Sequence, residues 1–211
     1  MKITCLGDSI RIQYVPAVKE ILGENFEIFA PENNCRFAKY TLRGIFDWKK
    51  DMRGSRIVHW NNGLWDICNL FGDGLFTSEE EYVDNMLRIA RILKAEHECV
   101  IFATTTPVSE KNQYNKNEDI RRYNELIVPK LREMGILIND LYSAVAENID
   151  EYICEDNIHM SESGIALCAR LTADCIRKAA QSLPGKVEIG CEFPESDGNG
   201  VPVEFTDKSG K

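Results

Sequence analysis

The chain has 211 residues, of which 44% are hydrophobic and 28% charged, and its formal net charge is −9. These values are those of one globular domain with a single core. An acidic balance argues against nucleic acid or an anionic membrane as a partner, because either would require clustered lysine and arginine. With neither a long apolar run nor a secretory signal, we expect a cytoplasmic protein, or one whose leader has been removed.

The cysteines and histidines argue against bound metal. The eight cysteines form no Cys-x-x-Cys pair, and several lie in apolar runs such as Cys99-Val100-Ile101-Phe102. They are typical of buried free thiols in a reducing cytoplasm, although an even count leaves disulfides open. The three histidines lack metal-ligand spacing, so the sequence predicts no metal and no cofactor.

The chain begins with a short apolar run that ends in a polar turn. Ile3 to Leu6 predict a buried strand, and Gly7 permits a sharp turn after it. Ser9 then stands at the carboxyl end of that strand, the edge of an open α/β sheet at which ligands bind. By itself, Gly7-Asp8-Ser9 is more typical of an ordinary turn that caps the next helix.

Helices and strands are predicted to alternate along the rest of the chain. Further strands are predicted at 26–30, 56–60, 99–104 and 136–138. Helices are predicted at 13–22, from the end of the loop at 32–37 to about residue 50, and at 77–95, 118–134, 140–148 and from 161 onward. This alternation predicts an α/β domain over residues 1–183, with about five parallel strands and helices on both faces. Residues 184–211 predict a tail that forms a β-hairpin or is partly mobile.

Three polar segments are expected at one edge of this sheet. They are Gly7-Asp8-Ser9, Asn61-Asn62-Gly63-Leu64-Trp65-Asp66 and Asp156-Asn157-Ile158-His159. Serine is a poor nucleophile at neutral pH unless an imidazole takes its proton and an acid orients that imidazole. Ser9, His159 and Asp156 are the residue types that acyl transfer requires, and backbone N–H groups with an asparagine would hold the charge on the carbonyl oxygen.

At these residues the sequence resembles the SGNH, or GDSL, hydrolases, a family of serine esterases and lipases. The first block of the family is matched by Gly7-Asp8-Ser9 and the last by Asp156-Asn157-Ile158-His159, so the resemblance spans about residues 1–180. It implies a three-layer αβα, flavodoxin-like fold without a metal. It also implies Ser9 as nucleophile with its own amide in the oxyanion hole, His159 as base, and Asp156 as the orienting acid.

Two middle blocks depart from the family pattern. The second block supplies a glycine amide in the family, but the matching region here has no glycine, and the nearest counterpart is Lys39. The third block is Gly-x-Asn-Asp in the family, whereas Gly63-Leu64-Trp65-Asp66 has Trp65 at the position of the asparagine. Asn61 or Asn62 would replace the missing amide from the same turn, and we favour Asn61.

The predicted site therefore has three parts. The triad is Ser9, Asp156 and His159, the oxyanion hole is formed by Ser9, Lys39, Asn61 and Gly63, and the substrate contacts are Asp8, Asn62 and Trp65. The predicted activity is hydrolysis of a small acyl ester through an acyl-serine intermediate, with acetyl as the favoured acyl group and a carbohydrate as one candidate alcohol. The alternatives are a non-catalytic carbohydrate- or acyl-binding module and a sugar acyltransferase. A small-molecule ester is the predicted partner, and the oligomeric state is open.

The remaining histidines and tryptophans have structural interpretations. His59 is predicted to be a hydrogen-bonded strand residue near the edge of the sheet, and His97 a solvated residue at a helix end. Trp60 and Trp65 either pack in the core and a lid or form a platform for an acyl or sugar group.

Overall fold

A computed structural model describes residues 1–184 of the chain. The strands are β1 (Lys2–Leu6), β2 (Glu27–Phe29), β3 (Ile57–Trp60), β4 (Cys99–Ala103) and β5 (Leu137–Asn139). The helices are α1 (Ser9–Leu22), α2 (Ala38–Met52), α3 (Leu64–Ile67), α4 (Glu79–Glu96), α5 (Asn117–Glu133), α6 (Leu141–Ala146), α7 (Ile149–Tyr152) and α8 (Glu162–Ser182). The predicted tail, from residue 185 onward, lies outside the described residues.

The five strands form one parallel sheet in the order β2-β1-β3-β4-β5. This is the flavodoxin-like order of a doubly wound sheet, and it confirms the predicted fold class. Leu6 of β1 pairs with Trp60 of β3, which pairs in turn with Phe102 of β4. Because these strands are parallel and in register, the loops that follow them open at the same edge of the sheet.

The helices form the two outer layers of the sandwich. α1 packs against α8, while α4 packs between α2 and α5. Hydroxyl caps define two of the longest helices: Ser78 Oγ accepts the N–H of Glu81, and Ser161 Oγ accepts the N–H of Gly164. Both helices begin where the sequence predicted, because a capping hydroxyl in front of an amphipathic segment is a strong local signal.

The central strand β3 corrects one prediction, that for His59, and decides between the two interpretations of Trp60. His59 lies in the middle of the sheet rather than near its edge and is fully buried, with Nε2 3.1 Å from Asn139 Nδ2. Burial lowers the pKa of His59 to about 3. Trp60 is also fully buried, with its ring centroid 4.9 Å from that of Phe102, so it belongs to the core.

The prediction that His97 is solvated is wrong. This residue is only 6% exposed, and its Nδ1 lies 2.7 Å from the carbonyl oxygen of Ser55. The turn before β3 covers the end of α4, a long-range contact that the local sequence does not reveal.

The sequence also missed α3 and α7. Each has four residues, which is too short to show helical periodicity. The seven cysteines within the described residues are free thiols, while Cys191 lies outside that part. None of the helices among residues 1–184 is long and apolar enough to cross a membrane.

Candidate active site

Ser9 is the first residue of α1, directly after the turn at Gly7 and Asp8. Oδ1 of Asp8 accepts the N–H of Ile10 at 3.0 Å and so caps the helix. The N–H of Ser9 has no acceptor within the helix, since the first N–H groups of a helix have no carbonyl four residues earlier. The partial positive charge of the helix terminus favours negative charge at this point.

Ser9, His159 and Asp156 form one chain of hydrogen-bonding groups. Oγ of Ser9 lies 2.8 Å from Nε2 of His159, and Nδ1 of the same ring lies 2.6 Å from Oδ2 of Asp156. The side chains of His159 and Asp156 are 33% and 49% exposed. The structure therefore brings together the three residues that the sequence predicted as a triad, at a site that solvent can reach.

The second oxygen of Asp156 holds the loop in place. Oδ1 accepts the N–H of Ile158 at 3.0 Å, the N–H of His159 at 2.9 Å, and the thiol of Cys154 at 3.1 Å. Burial raises the pKa of Asp156, but the hydrogen bonds from its loop outweigh burial and hold that pKa well below its usual value. Asp156 is therefore ionised at neutral pH, the state in which a carboxylate can orient an imidazole.

Gln13 joins the two halves of the site. Its Oε1 accepts the N–H of Met160 at 3.0 Å, and its Nε2 donates to the Met160 carbonyl at 3.4 Å. Since Gln13 lies one turn after Ser9 on α1 and Met160 follows His159, this pair of bonds sets the spacing between serine and histidine. No motif of the sequence singles out Gln13.

The side chain of Asn61 lies against the turn that presents Ser9. A Cβ at Gly7 would stand 1.9 Å from Oδ1 of Asn61, so only glycine permits this approach. Asn61 is 6% exposed, and its Oδ1 is buried without a hydrogen-bond partner among the described residues. Burial raises the pKa of Asp8, and the neighbouring Asn61 amide partly offsets this effect.

Asn62 and Asp8, which the sequence predicted as substrate contacts, are both fully buried. Asn62 is fully buried, with its Oδ1 accepting from Trp60 Nε1 at 2.9 Å and its Nδ2 donating to the Arg36 carbonyl at 2.8 Å and Thr41 Oγ1 at 2.9 Å. These bonds occupy the amide within the protein. Asp8 is likewise fully buried as the cap of α1.

The loop after β2 is held by Asp66. Both carboxylate oxygens accept the N–H of Ala38, at 3.1 and 3.0 Å. Burial raises the pKa of Asp66 to about 7, against the opposing effect of the bonds from Ala38 and Thr77. The next N–H, that of Lys39, donates to no acceptor within residues 1–184, while Nζ of Lys39 pairs with Glu81 at 2.8 Å.

Of the two predicted site residues that follow Asn62, Gly63 is packed against Thr105 before α3, whereas Trp65 within α3 is partly exposed to solvent. A Cβ at Gly63 would stand 1.9 Å from Oγ1 of Thr105, so glycine is required here for close packing. Trp65 is 40% exposed, and its ring centroid lies 5.9 Å from Cζ of Arg36.

A buried arginine, which no motif of the sequence singles out, braces the turn at Gly7 and Asp8. Arg11 is 3% exposed, and its guanidinium donates to the carbonyls of Gly7 at 3.0 Å, Pro31 at 2.8 Å and Asn33 at 3.0 Å. The predicted helix began at residue 13, which left Arg11 in the loop. Its position inside the first turn of α1 is what directs it inward.

No protein-family model matches the chain. The curated GDSL esterase/lipase WDL1 of Oryza sativa subsp. japonica is 29% identical over 147 residues. The match covers 62% of this chain and 56% of that protein, so the chain spans little more than half the length of this curated relative.

Solved structures with the same fold cover most of the chain. The lipase/acylhydrolase of Enterococcus faecalis has a TM-score of 0.72 at 16% identity, covering 84% of this chain and 96% of that one. Axe2, an acetylxylan esterase of Geobacillus stearothermophilus, has a TM-score of 0.64 at 16% identity, covering 82% and 92%. These similarities confirm the resemblance to the GDSL hydrolases, whose fold this chain shares.

Proposed function

We propose that the protein is a serine esterase in which Ser9 is the nucleophile, His159 the general base and Asp156 the acid that orients the imidazole. The observation that carries this proposal is the pair of short contacts, 2.8 Å from Ser9 Oγ to His159 Nε2 and 2.6 Å from His159 Nδ1 to Asp156 Oδ2. These distances suit proton transfer from a hydroxyl to an oriented imidazole.

The reaction follows from this arrangement. Oγ of Ser9 attacks the ester carbonyl carbon while Nε2 of His159 takes the hydroxyl proton, and collapse of the tetrahedral intermediate expels the alcohol, which receives that proton. Water then attacks the acyl-serine with the same histidine as base, releasing the acid and restoring Ser9. Asp156 remains ionised throughout and stabilises the imidazolium.

For the oxyanion hole we propose the N–H groups of Ser9, Lys39 and Gly63 together with the amide of Asn61. Ser9 begins α1 and Lys39 is the second residue of α2, so both N–H groups belong to helix N-termini that favour negative charge. Asn61 lies in contact with the turn before Ser9. Asn61 would thus take the place of the asparagine that Trp65 replaces.

We propose a small acyl ester, such as an acetyl ester, as the substrate, with a carbohydrate as the candidate alcohol. Trp65 offers an exposed aromatic face at the rim on which a sugar ring can stack. The acetylxylan esterase of Geobacillus stearothermophilus shares the fold, which makes acetylated sugars the first substrates to assay. Faster turnover of long-chain esters than of acetyl esters would contradict this choice.

A fluorophosphonate probe tests the nucleophile. We expect it to label the intact protein at Ser9 and to leave Ser9→Ala and His159→Ala unlabelled, with both variants retaining the thermal stability of the parent. If the intact protein is not labelled, the alternative of a non-catalytic carbohydrate- or acyl-binding module is favoured, consistent with Trp65 in place of the asparagine. Product analysis with and without a sugar acceptor separates hydrolysis from acyl transfer.

A further inference from the structure

Arg36 has an unusual backbone conformation that its neighbours hold in place. Its φ of 50° lies in the left-handed region, which costs energy for a residue other than glycine and persists only where the surroundings enforce it. The N–H of Arg36 donates to Oδ1 of Asn34 at 2.7 Å, and its carbonyl accepts from Nδ2 of the buried Asn62 at 2.8 Å. The fold therefore holds the backbone of this exposed arginine in one conformation.

The guanidinium of Arg36 is supported on aromatic rings. Its Cζ lies 5.1 Å from the ring centroid of Tyr40 and 5.9 Å from that of Trp65. No carboxylate within residues 1–184 forms an ion pair with it, although the chain has 34 acidic and only 25 basic residues. Stacking uses the face of a guanidinium and leaves its N–H edge available to a planar anion.

Arg36 is close to the candidate active site through its neighbours in the chain. The N–H of Cys35 donates to the carbonyl of Gly7 at 3.0 Å, so the residue before Arg36 contacts the turn that presents Ser9. Trp65 precedes Asp66, the residue that holds the Ala38 N–H. Arg36 and Trp65 thus border the site where the loops after β2 and β3 meet.

We propose that Arg36 is a specificity-determining residue that binds a carboxylate on the alcohol part of the ester, so that the preferred substrates are acyl esters of acidic alcohols such as acidic sugars. The inference rests on the proposed esterase function. A guanidinium edge donates two parallel hydrogen bonds to a carboxylate, which fixes the orientation of the ligand. The overall acidity of the protein gives no attraction to such substrates, so a local cation has to supply it.

The test compares two acetyl esters that differ in charge, 4-acetoxybenzoate and the neutral 4-acetoxybenzamide. The measured quantity is kcat/KM for the charged ester divided by kcat/KM for the neutral ester. It is determined for the parent protein, for Arg36→Gln and for Arg36→Gly. Glycine adopts the left-handed conformation without strain, so the second variant keeps the loop geometry. We expect both variants to lower the ratio roughly tenfold, the effect of losing a hydrogen bond to a charged group, with little change for the neutral ester.

Arg43→Gln is the matched control. Arg43 also lies over an aromatic ring, with Cζ 5.2 Å from the Phe46 centroid, but it pairs with Asp47 at 2.6 Å. This variant should leave the ratio unchanged. Added salt should reduce the preference of the parent protein for the charged ester, because the contact is exposed and ionic.

Three outcomes would overturn the inference: no preference for the charged ester in the parent protein, an equal loss for both esters in the Arg36 variants, or the same loss in Arg43→Gln. Failure of the esterase proposal is a separate result, seen as no hydrolysis of either ester and no fluorophosphonate labelling. Binding of 4-hydroxybenzoate and 4-hydroxybenzamide to Ser9→Ala, followed by tryptophan fluorescence, tests the Arg36 contact without turnover. Equal affinity for these two ligands would also contradict it.

Discussion

The amide of Met160 donates to Oε1 of Gln13 at 3.0 Å, and this contact joins the helix that begins at Ser9 to the loop that carries His159. We expect Gln13→Ala to lower kcat roughly ten- to hundredfold, because a displacement of about 1 Å between reacting groups has that effect. KM should change less, since Gln13 is not expected to contact the substrate. Steady-state kinetics on an acetyl ester measure both.

The control for this variant is Gln181→Ala, which truncates an exposed glutamine near the end of α8. It should leave kcat and thermal stability unchanged. An unchanged kcat in Gln13→Ala would show that the spacing between Ser9 and His159 does not depend on this contact.

Substitution should distinguish the roles of the two asparagines after β3, Asn61 and Asn62. We expect Asn61→Ala to lower kcat about a hundredfold, as loss of one oxyanion-hole donor does, with little effect on stability. Asn62→Ala should instead lower the free energy of unfolding by about 1–3 kcal/mol, because it leaves partners of the buried amide unsatisfied. Kinetics and urea unfolding on both variants test this, and the reverse pattern would assign the oxyanion role to Asn62.

Asp156→Asn should impair catalysis far more than folding. An amide keeps one oxygen to accept the N–H groups of Ile158 and His159, but it then presents NH2 to Nδ1 of the imidazole and favours the wrong tautomer. We expect kcat to fall about a thousandfold or more, with a native circular dichroism spectrum. Asp150→Asn, at an exposed aspartate nearby, is the control, and comparable activity in the two variants would refute the role of Asp156.

Asp66 should make stability depend on pH. Its pKa of about 7 in the folded protein exceeds the value of about 3.9 for an unfolded chain, so the folded protein holds the proton more tightly. The contribution of protonated Asp66 to the free energy of unfolding is fully present below pH 4 and is lost as pH rises through 7.

Urea unfolding of the parent protein and Asp66→Asn across this pH range measures that loss. The difference in unfolding free energy should fall by about 1.4 kcal/mol for each pH unit between about 4 and 7. Asp73→Asn, at an exposed residue of the loop that follows α3, should not alter the pH dependence. If the unfolding free energies of the parent protein and Asp66→Asn change with pH in the same way, the prediction is contradicted.

Local patterns predicted the parts of the fold that local physics decides. The apolar run before Gly7 and the capping hydroxyls of Ser78 and Ser161 specify strand and helix starts within a few residues, and the structure has them there. His97 shows the limit of this reasoning, since its burial depends on Ser55, 42 positions earlier in the chain.

The sequence by itself determined the alternation of strand and helix and the pair of motifs that end in Ser9 and His159, because hydrophobic period and motif order are properties of the linear chain. Only the tertiary structure decided which asparagine lies against the turn before Ser9, that Gln13 joins α1 to the loop of His159, and that Arg36 lies over two aromatic rings. Each of these depends on distances between segments far apart in the chain, which the packing of helices on the sheet sets and no local pattern encodes.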